Sequence, residues 1–205
     1  MSKRRRARTL APPVNKIGCR AVPPLHRPWD PDDSPDFHAA RLLLLIHLCG
    51  EEPGPYIAGR TKFAKLDFFL RYPGFLERAH AAMPEIVELH DAFLAEDAGE
   101  VEAPMIRYRY GPWDHRYRQF LAFLISRELV TVTTSHTPER VKLKAAGKRA
   151  AQRLAQTPEF QPLVRRCEAM RGNLAAMSGT ELKELIYDLF PDEVGNASFR
   201  QEIRP

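Results

Sequence analysis

Long apolar runs are missing from this 205-residue chain: the longest, Leu42 to Cys49, has His47 inside it. A membrane-spanning helix needs roughly 20 consecutive apolar residues, so no membrane partner is expected. The basic N-terminus leads into Pro-rich polar sequence rather than an apolar stretch, which is not the pattern of a secretory signal. Cysteine is scarce. Cys19, Cys49 and Cys167 are widely separated and odd in number, which argues against a disulfide framework and suits a reducing cytoplasm. No CxxC pair is present to hold zinc, and the seven histidines show no HExxH spacing. His80, Glu85, Glu88, His90 and Asp91 are at best a sparse cluster on a polar helical face. The serines lack a GxSxG setting, and the eleven glycines form neither a phosphate-binding loop nor a dinucleotide fingerprint. The expectation is a binding protein without cofactor or metal, not an enzyme.

Charge is plentiful but unevenly placed. The net charge is +5, from 31 basic and 26 acidic residues. Residues 1–35 hold eight basic residues, among them Arg4, Arg5 and Arg6, against three acidic ones, which leaves 23 of each sign from residue 36 onward. Seven prolines in the same stretch deny it helix and ladder hydrogen bonds, and its few apolar residues cannot repay the entropy of ordering. Residues 1–35 therefore read as a disordered basic arm. It is either a solvated tail or a phosphate-tracking element whose affinity falls with salt. Downstream, Glu77 to Glu102 carries eight acidic residues against Arg78 alone, whereas Arg107 to Arg153 carries eleven basic residues against Asp114, Glu128 and Glu139.

Residues 36–102 read as an N-terminal helical part. Ser34 and Pro35 introduce a helix to Cys49 that is apolar all round through Leu42–Ile46, and Gly50 closes it. Glu51 to Ala58 reads as a loop. Gly59 to Pro73 reads as a helix capped by Thr61, with Phe63, Leu66 and Leu70 on one side and Lys62 and Lys65 on another. Helices are expected over Phe75–Met83 and Glu85–Ala95. Residues 103–156 change character: a short strand near Ala103–Arg109 is expected beside the later hairpin and ended by Gly111-Pro112. Then Tyr117, Phe120, Leu121, Leu124 and Ile125 fall on one helical stripe behind Asp114 as N-cap. Leu129–Thr134 and Arg140–Lys144 are β-branched or alternating, with Pro138 in the polar loop between them, which predicts a hairpin. A further helix follows over Ala145–Gln156. Residues 157–190 read as two C-terminal helices, Glu159–Met177 and Glu181–Phe190, the second behind the capping box Ser178-Gly179-Thr180-Glu181. Residues 191–205 read as a loose tail.

The order helix, hairpin, helix from Arg107 to Arg153 resembles the winged-helix module of small bacterial regulators, with Leu143 ending the second strand, Gly147 four residues beyond, and Lys144 where threonine is usual. The fold expected is mainly α with a small β-hairpin, a winged helix-turn-helix-like core with additional helices. If that module meets DNA, the outward face of the first helix offers His115, Arg116, Arg118 and Gln119 to base edges. The hairpin and the next helix then offer Arg140, Lys142, Lys144, Lys148 and Arg149 to phosphates. The other reading of this face is a charged surface neutralised by the acidic segment. Glu85, Glu88 and Asp91 suit a basic protein partner. Leu182, Leu185, Ile186 and Leu189 suit either a partner helix or the chain's own core.

The Leu-rich first helix, Lys65-Leu66-Asp67-Phe68-Phe69-Leu70, Arg109-Tyr110-Gly111-Pro112-Trp113-Asp114 and the helix after Ser178 together resemble the small middle components of bacterial ABC-ATPase three-component conflict systems, the group that includes Lamassu-type anti-phage defence. That resemblance implies a non-enzymatic subunit seated on an SMC-like ATPase, helping it sense DNA ends or unusual DNA and restraining or releasing an effector nuclease. Double-stranded DNA is then met directly or through the complex. A second reading is a stand-alone transcription regulator that dimerises through its terminal helices and reads a palindrome. The basic arm lies outside the resemblance.

Overall fold

The computed structural model describes residues 34–83 and 104–204. Helix α1 (Pro35–Cys49) runs through the core, with Leu42 to Ile46 all buried. Ser34 Oγ accepts the Phe37 N–H at 3.3 Å and proline stands in the first turn, as the sequence leads one to expect. Leu42, Leu44, Leu45 and Ile46 are wholly buried, because α1 is covered by α2 (Arg60–Arg71), α4 (Tyr117–Ser126), α5 (Ala145–Leu154) and α6 (Gln161–Arg171) at once. Each such side chain contributes about 1.5–3 kcal/mol by leaving water. Gly50 follows because a Cβ there would stand 2.2 Å from the Ile46 carbonyl oxygen.

Beyond Gly50 the expected loop contains a short strand, β1 (Tyr56–Ala58). It joins the hairpin of β4 (Val130–Thr133) and β5 (Arg140–Leu143) in an antiparallel sheet of order β1-β5-β4. Val130 faces Leu143, Val132 faces Val141, and Ile57 faces Val141 from the other side. Ile57, Val130, Val141 and Leu143 are buried, so one face of the sheet closes over the helices. The turn into α5 is tight: a Cβ on Gly147 would lie 2.0 Å from the Leu129 carbonyl oxygen, and the Lys144 N–H donates to that same carbonyl at 2.9 Å. Only glycine permits this approach.

Several elements differ from the sequence reading. Gly59 is the N-cap of helix α2 and offers no side-chain bond, so Thr61 is an exposed first-turn residue and not the N-cap. Every residue from Lys62 to Arg71 is buried, including Lys62 and Lys65, which the spacing puts on a different side from Phe63, Leu66 and Leu70. After α3 (Pro73–Ala81), strand β2 (Ile106–Tyr108) pairs with β3 (Gly111–Trp113) in a sheet of its own rather than beside the β4–β5 hairpin. Gly111-Pro112, expected to end the strand, is its return partner, and Gly111 turns the chain at φ +110°. Helix α4 starts at Tyr117, and Ile125, placed by periodicity on the inner stripe, is 45 % exposed. A short 3-10 turn over Pro158–Phe160 precedes α6, which ends at Arg171 instead of Met177.

The C-terminal segment is docked, not loose. The Arg107 N–H donates to Gln201 O at 2.8 Å and the Ile203 N–H to Met105 O at 2.7 Å, while Val194 and Ile203 are fully buried. Tyr72 fastens both chains, its hydroxyl accepting the Met105 N–H at 2.7 Å and donating to Ile203 O at 3.2 Å. Two apolar anchors nine residues apart carry no periodicity, which is why the segment reads as loose. Ahead of it, α7 (Gly179–Leu189) has the full capping box: Ser178 Oγ accepts the Glu181 N–H at 3.2 Å and Glu181 accepts the Ser178 N–H at 2.7 Å. Leu182 and Ile186 are fully buried against this chain's own core, which removes them as partner contacts; Leu185 and Leu189 are half-buried. Phe190 joins Phe68, Phe69 and Phe75, with its ring 4.6 Å from that of Phe75. Glu85, Glu88 and Asp91 lie outside the described residues, as do Arg4, Arg5 and Arg6. Among the described residues, no helix is long and apolar enough to cross a membrane.

Candidate nucleic-acid interface

Helix α4 is held by charges buried beneath its first turn. Arg41 on α1 meets Asp67 on α2 through two bonds, Nε to Oδ1 at 2.8 Å and Nη2 to Oδ2 at 3.3 Å. Tyr117, the first residue of α4, donates its hydroxyl to the same carboxylate at 2.6 Å. The Arg41 and Asp67 side chains have no exposure at all, and burial with the neighbouring Asp67 charge pushes the Tyr117 phenol well up. Alongside, Asp114 accepts from Arg71 Nη1 at 2.9 Å and from Arg116 Nη2 at 2.8 Å. It also accepts the Arg116 backbone N–H at 2.9 Å, so the carboxylate expected as the N-cap instead ties the turn ahead of the helix. Burial works to raise the Asp114 carboxyl, but the bonds from Arg116 and the Arg71 charge outweigh it and hold the group well below the usual carboxylate range. His38 stands between the two pairs, with Nδ1 2.8 Å from Arg41 Nη1 and Nε2 3.4 Å from Arg116 Nη1.

This arrangement fixes which expected contacts remain outside. Arg116 is turned inward onto Asp114 with its guanidinium 5.4 Å over the Phe120 ring, so it is not an outward-facing base reader. A deeply bonded carboxylate claimed it, which helical spacing alone does not reveal. His115, Arg118 and Gln119 are exposed and together. The other basic residues lie elsewhere. Arg140 sits 4.6 Å over the Tyr56 ring and the Lys142 stem passes over Gly54, both on the open face of the sheet. Lys144 lies 3.8 Å from Glu128. Lys148 and Arg149 are exposed on α5, where burial, with the charges of Lys148 and Arg171, lowers the His47 imidazole below its ordinary value.

What His115, Arg118 and Gln119 do share is a cleft of about 630 Å³. Arg60 at the start of α2, Tyr108 and Trp113 of the β2–β3 hairpin, and Arg200 of the C-terminal segment complete its walls. Trp113 packs edge-on against Tyr117 at 5.2 Å and lies stacked beside Tyr108 at 6.2 Å. Arg60 is paired with Glu139 at the base of the β4–β5 hairpin. Arg118 and Arg200 have no carboxylate partner among the described residues. Arg60 and Arg200 escape sequence reasoning because one opens a helix and the other lies in a segment without pattern; the clustered aromatics of Tyr108–Trp113 were the one available signal.

The described residues contain no group of three or more His, Cys, Asp or Glu side chains arranged to hold a metal ion. No family model, no curated protein and no solved structure matches this chain.

Proposed function

We propose that this chain is a non-enzymatic winged-helix adaptor subunit of an SMC-like ABC-ATPase complex of bacterial defence, linking DNA sensing to an effector nuclease. The observation that carries the module is the path of the chain: α1, β1, α2, then α4, β4 and β5, with β1 on the far side of β5. That order suits a winged helix in which α4 is the recognition helix and residues 134–139 are the wing tip. The elements from α3 to β3 are an insertion before α4. The assignment to an ATPase complex rests on the sequence resemblance, and the segments that carry it pack together, α2 against both β3 and α7.

An adaptor suits the surface of α4 better than a self-sufficient operator reader. Its exposed side chains are Arg118 and Gln119 in the first turn, followed by Ala122, Ile125 and Ser126. Arg and Gln pair well with base edges or phosphates, but the remaining exposed length offers no cation before Arg127, whose guanidinium lies 4.7 Å over Phe123. Such a face adds a few contacts to DNA held mainly by a partner. Charge reversal tests this. In the assembled complex, Arg118→Glu is expected to weaken duplex DNA binding about tenfold and to reduce the slope of log affinity against log salt by about 1. Unchanged affinity and slope would remove α4 from the DNA contact.

A further inference from the structure

We infer that the cleft beside α4 binds an unpaired nucleotide, its base lying against Trp113 and its phosphate meeting Arg118 and Arg200. The inference rests on the reading that the α4 face meets nucleic acid, and it names what that face takes beyond duplex DNA. Three features converge. The volume, about 630 Å³, lies within the 300–1,000 Å³ range of small-ligand sites. The cations face no counter-charge: no carboxylate lines the cleft among the described residues, and the nearby Glu139 is occupied by Arg60. The aromatic wall is built rather than incidental, since Tyr108 is held between Trp113 at 6.2 Å and Phe199 at 5.1 Å. Flat apolar faces next to unpaired guanidinium groups are the combination that single-stranded nucleic-acid sites use, because every base has a π-face and every nucleotide a phosphate.

Arg200 is brought to this wall at a conformational cost. It is a non-glycine residue at φ +68°, in the left-handed region, and its N–H donates to Arg107 O at 2.8 Å, which pins the segment to β2. Glycine adopts that backbone freely, so Arg200→Gly removes the guanidinium without adding strain.

The test reads the fluorescence of Trp113 in the full-length chain carrying Trp29→Phe, so that a single tryptophan reports. A 5′-phosphorylated tetrathymidylate is expected to quench it saturably, and Arg118→Ala and Arg200→Gly are each expected to raise the half-saturating concentration at least fivefold with unchanged melting temperature. A blunt duplex is expected to leave Trp113 unquenched. Thymidine monophosphate serves as the second arm: equal affinity assigns the cleft to free nucleotides, and much weaker affinity assigns it to the end of a strand. Absence of quenching by either nucleotide probe, or quenching indifferent to both variants, overturns the inference. Anisotropy of a labelled duplex at low salt separates this from failure of the underlying reading. Duplex binding that depends on Arg118 while Trp113 stays silent removes the cleft alone, whereas loss of both signals removes the DNA face as well.

Discussion

Asp67→Ala is expected to lower folding stability by about 3–5 kcal/mol, the cost of breaking a buried, hydrogen-bonded ion pair from one side. Asp67 lies at 0 % exposure and satisfies both the Arg41 guanidinium and the Tyr117 hydroxyl. Its removal takes this carboxylate from the buried Arg41 guanidinium and takes the acceptor from the Tyr117 O–H. The pair itself need not be stabilising. A double replacement of similar volume, Arg41→Met with Asp67→Leu, is expected to recover part of the loss, because the two charges' desolvation costs disappear together while the Tyr117 O–H still lacks this acceptor. Urea unfolding midpoints at neutral pH measure the three variants. A single substitution costing less than about 1 kcal/mol would show that Asp67 is not the anchor assigned here. The functional link runs through Tyr117: the carboxylate that neutralises Arg41 also seats the first residue of α4, so the variant should weaken DNA binding by the complex even below its melting temperature.

Lys65→Met is expected to stabilise the protein by about 1–2 kcal/mol at pH 7. Lys65 is 1 % exposed, its ammonium donates to Thr61 O at 3.1 Å, and it has no carboxylate partner among the described residues. Burial, with the Lys183 charge, pulls its pKa down to about 8. Below that value the amine is protonated in both folded and unfolded chains, and folding bears the full cost of burying the charge. From about 8, where the folded form loses its proton, up to about 10.4, where the unfolded form does, the unfolded chain holds more protons, so wild-type stability rises with pH. Methionine fills the same volume without charge, and the rise between pH 8 and 10 should shrink by this group's share. A variant less stable than wild type at pH 7, with the same slope, would mean that Lys65 is compensated in the fold.

Local signals were legible and remote ones were not. Ser34 and Ser178 each act within three residues, and the sequence shows them as caps. The β-branched runs around Pro138 became β4 and β5 because strand preference and turn chemistry agree there. The three residues Tyr56–Ala58 are too few to show alternation, and they form a strand only because β5 offers them a free edge. Lys62 and Lys65 read as a side apart from Phe63, Leu66 and Leu70, and charges are rarely buried. Asp67 and Arg71 are nonetheless interior because partners distant in sequence, Arg41 and Asp114, come to meet them. Arg118 and Gln119 were legible as an exposed pair by helical spacing, whereas Arg116 was not, since its orientation depends on Asp114. The cleft joins Arg60, Arg118 and Arg200 from three separate elements, and no spacing within the sequence connects them.

Whether this chain belongs to an ATPase complex, as proposed, is decided by what purifies with it. The most direct measurement is the native mass of the tagged full-length protein purified after co-expression with the products of its flanking genes. A stable assembly containing a large ATPase together with this 23.4 kDa chain is expected. Recovery of this chain only as a monomer or a homodimer, with no other protein bound, would contradict it.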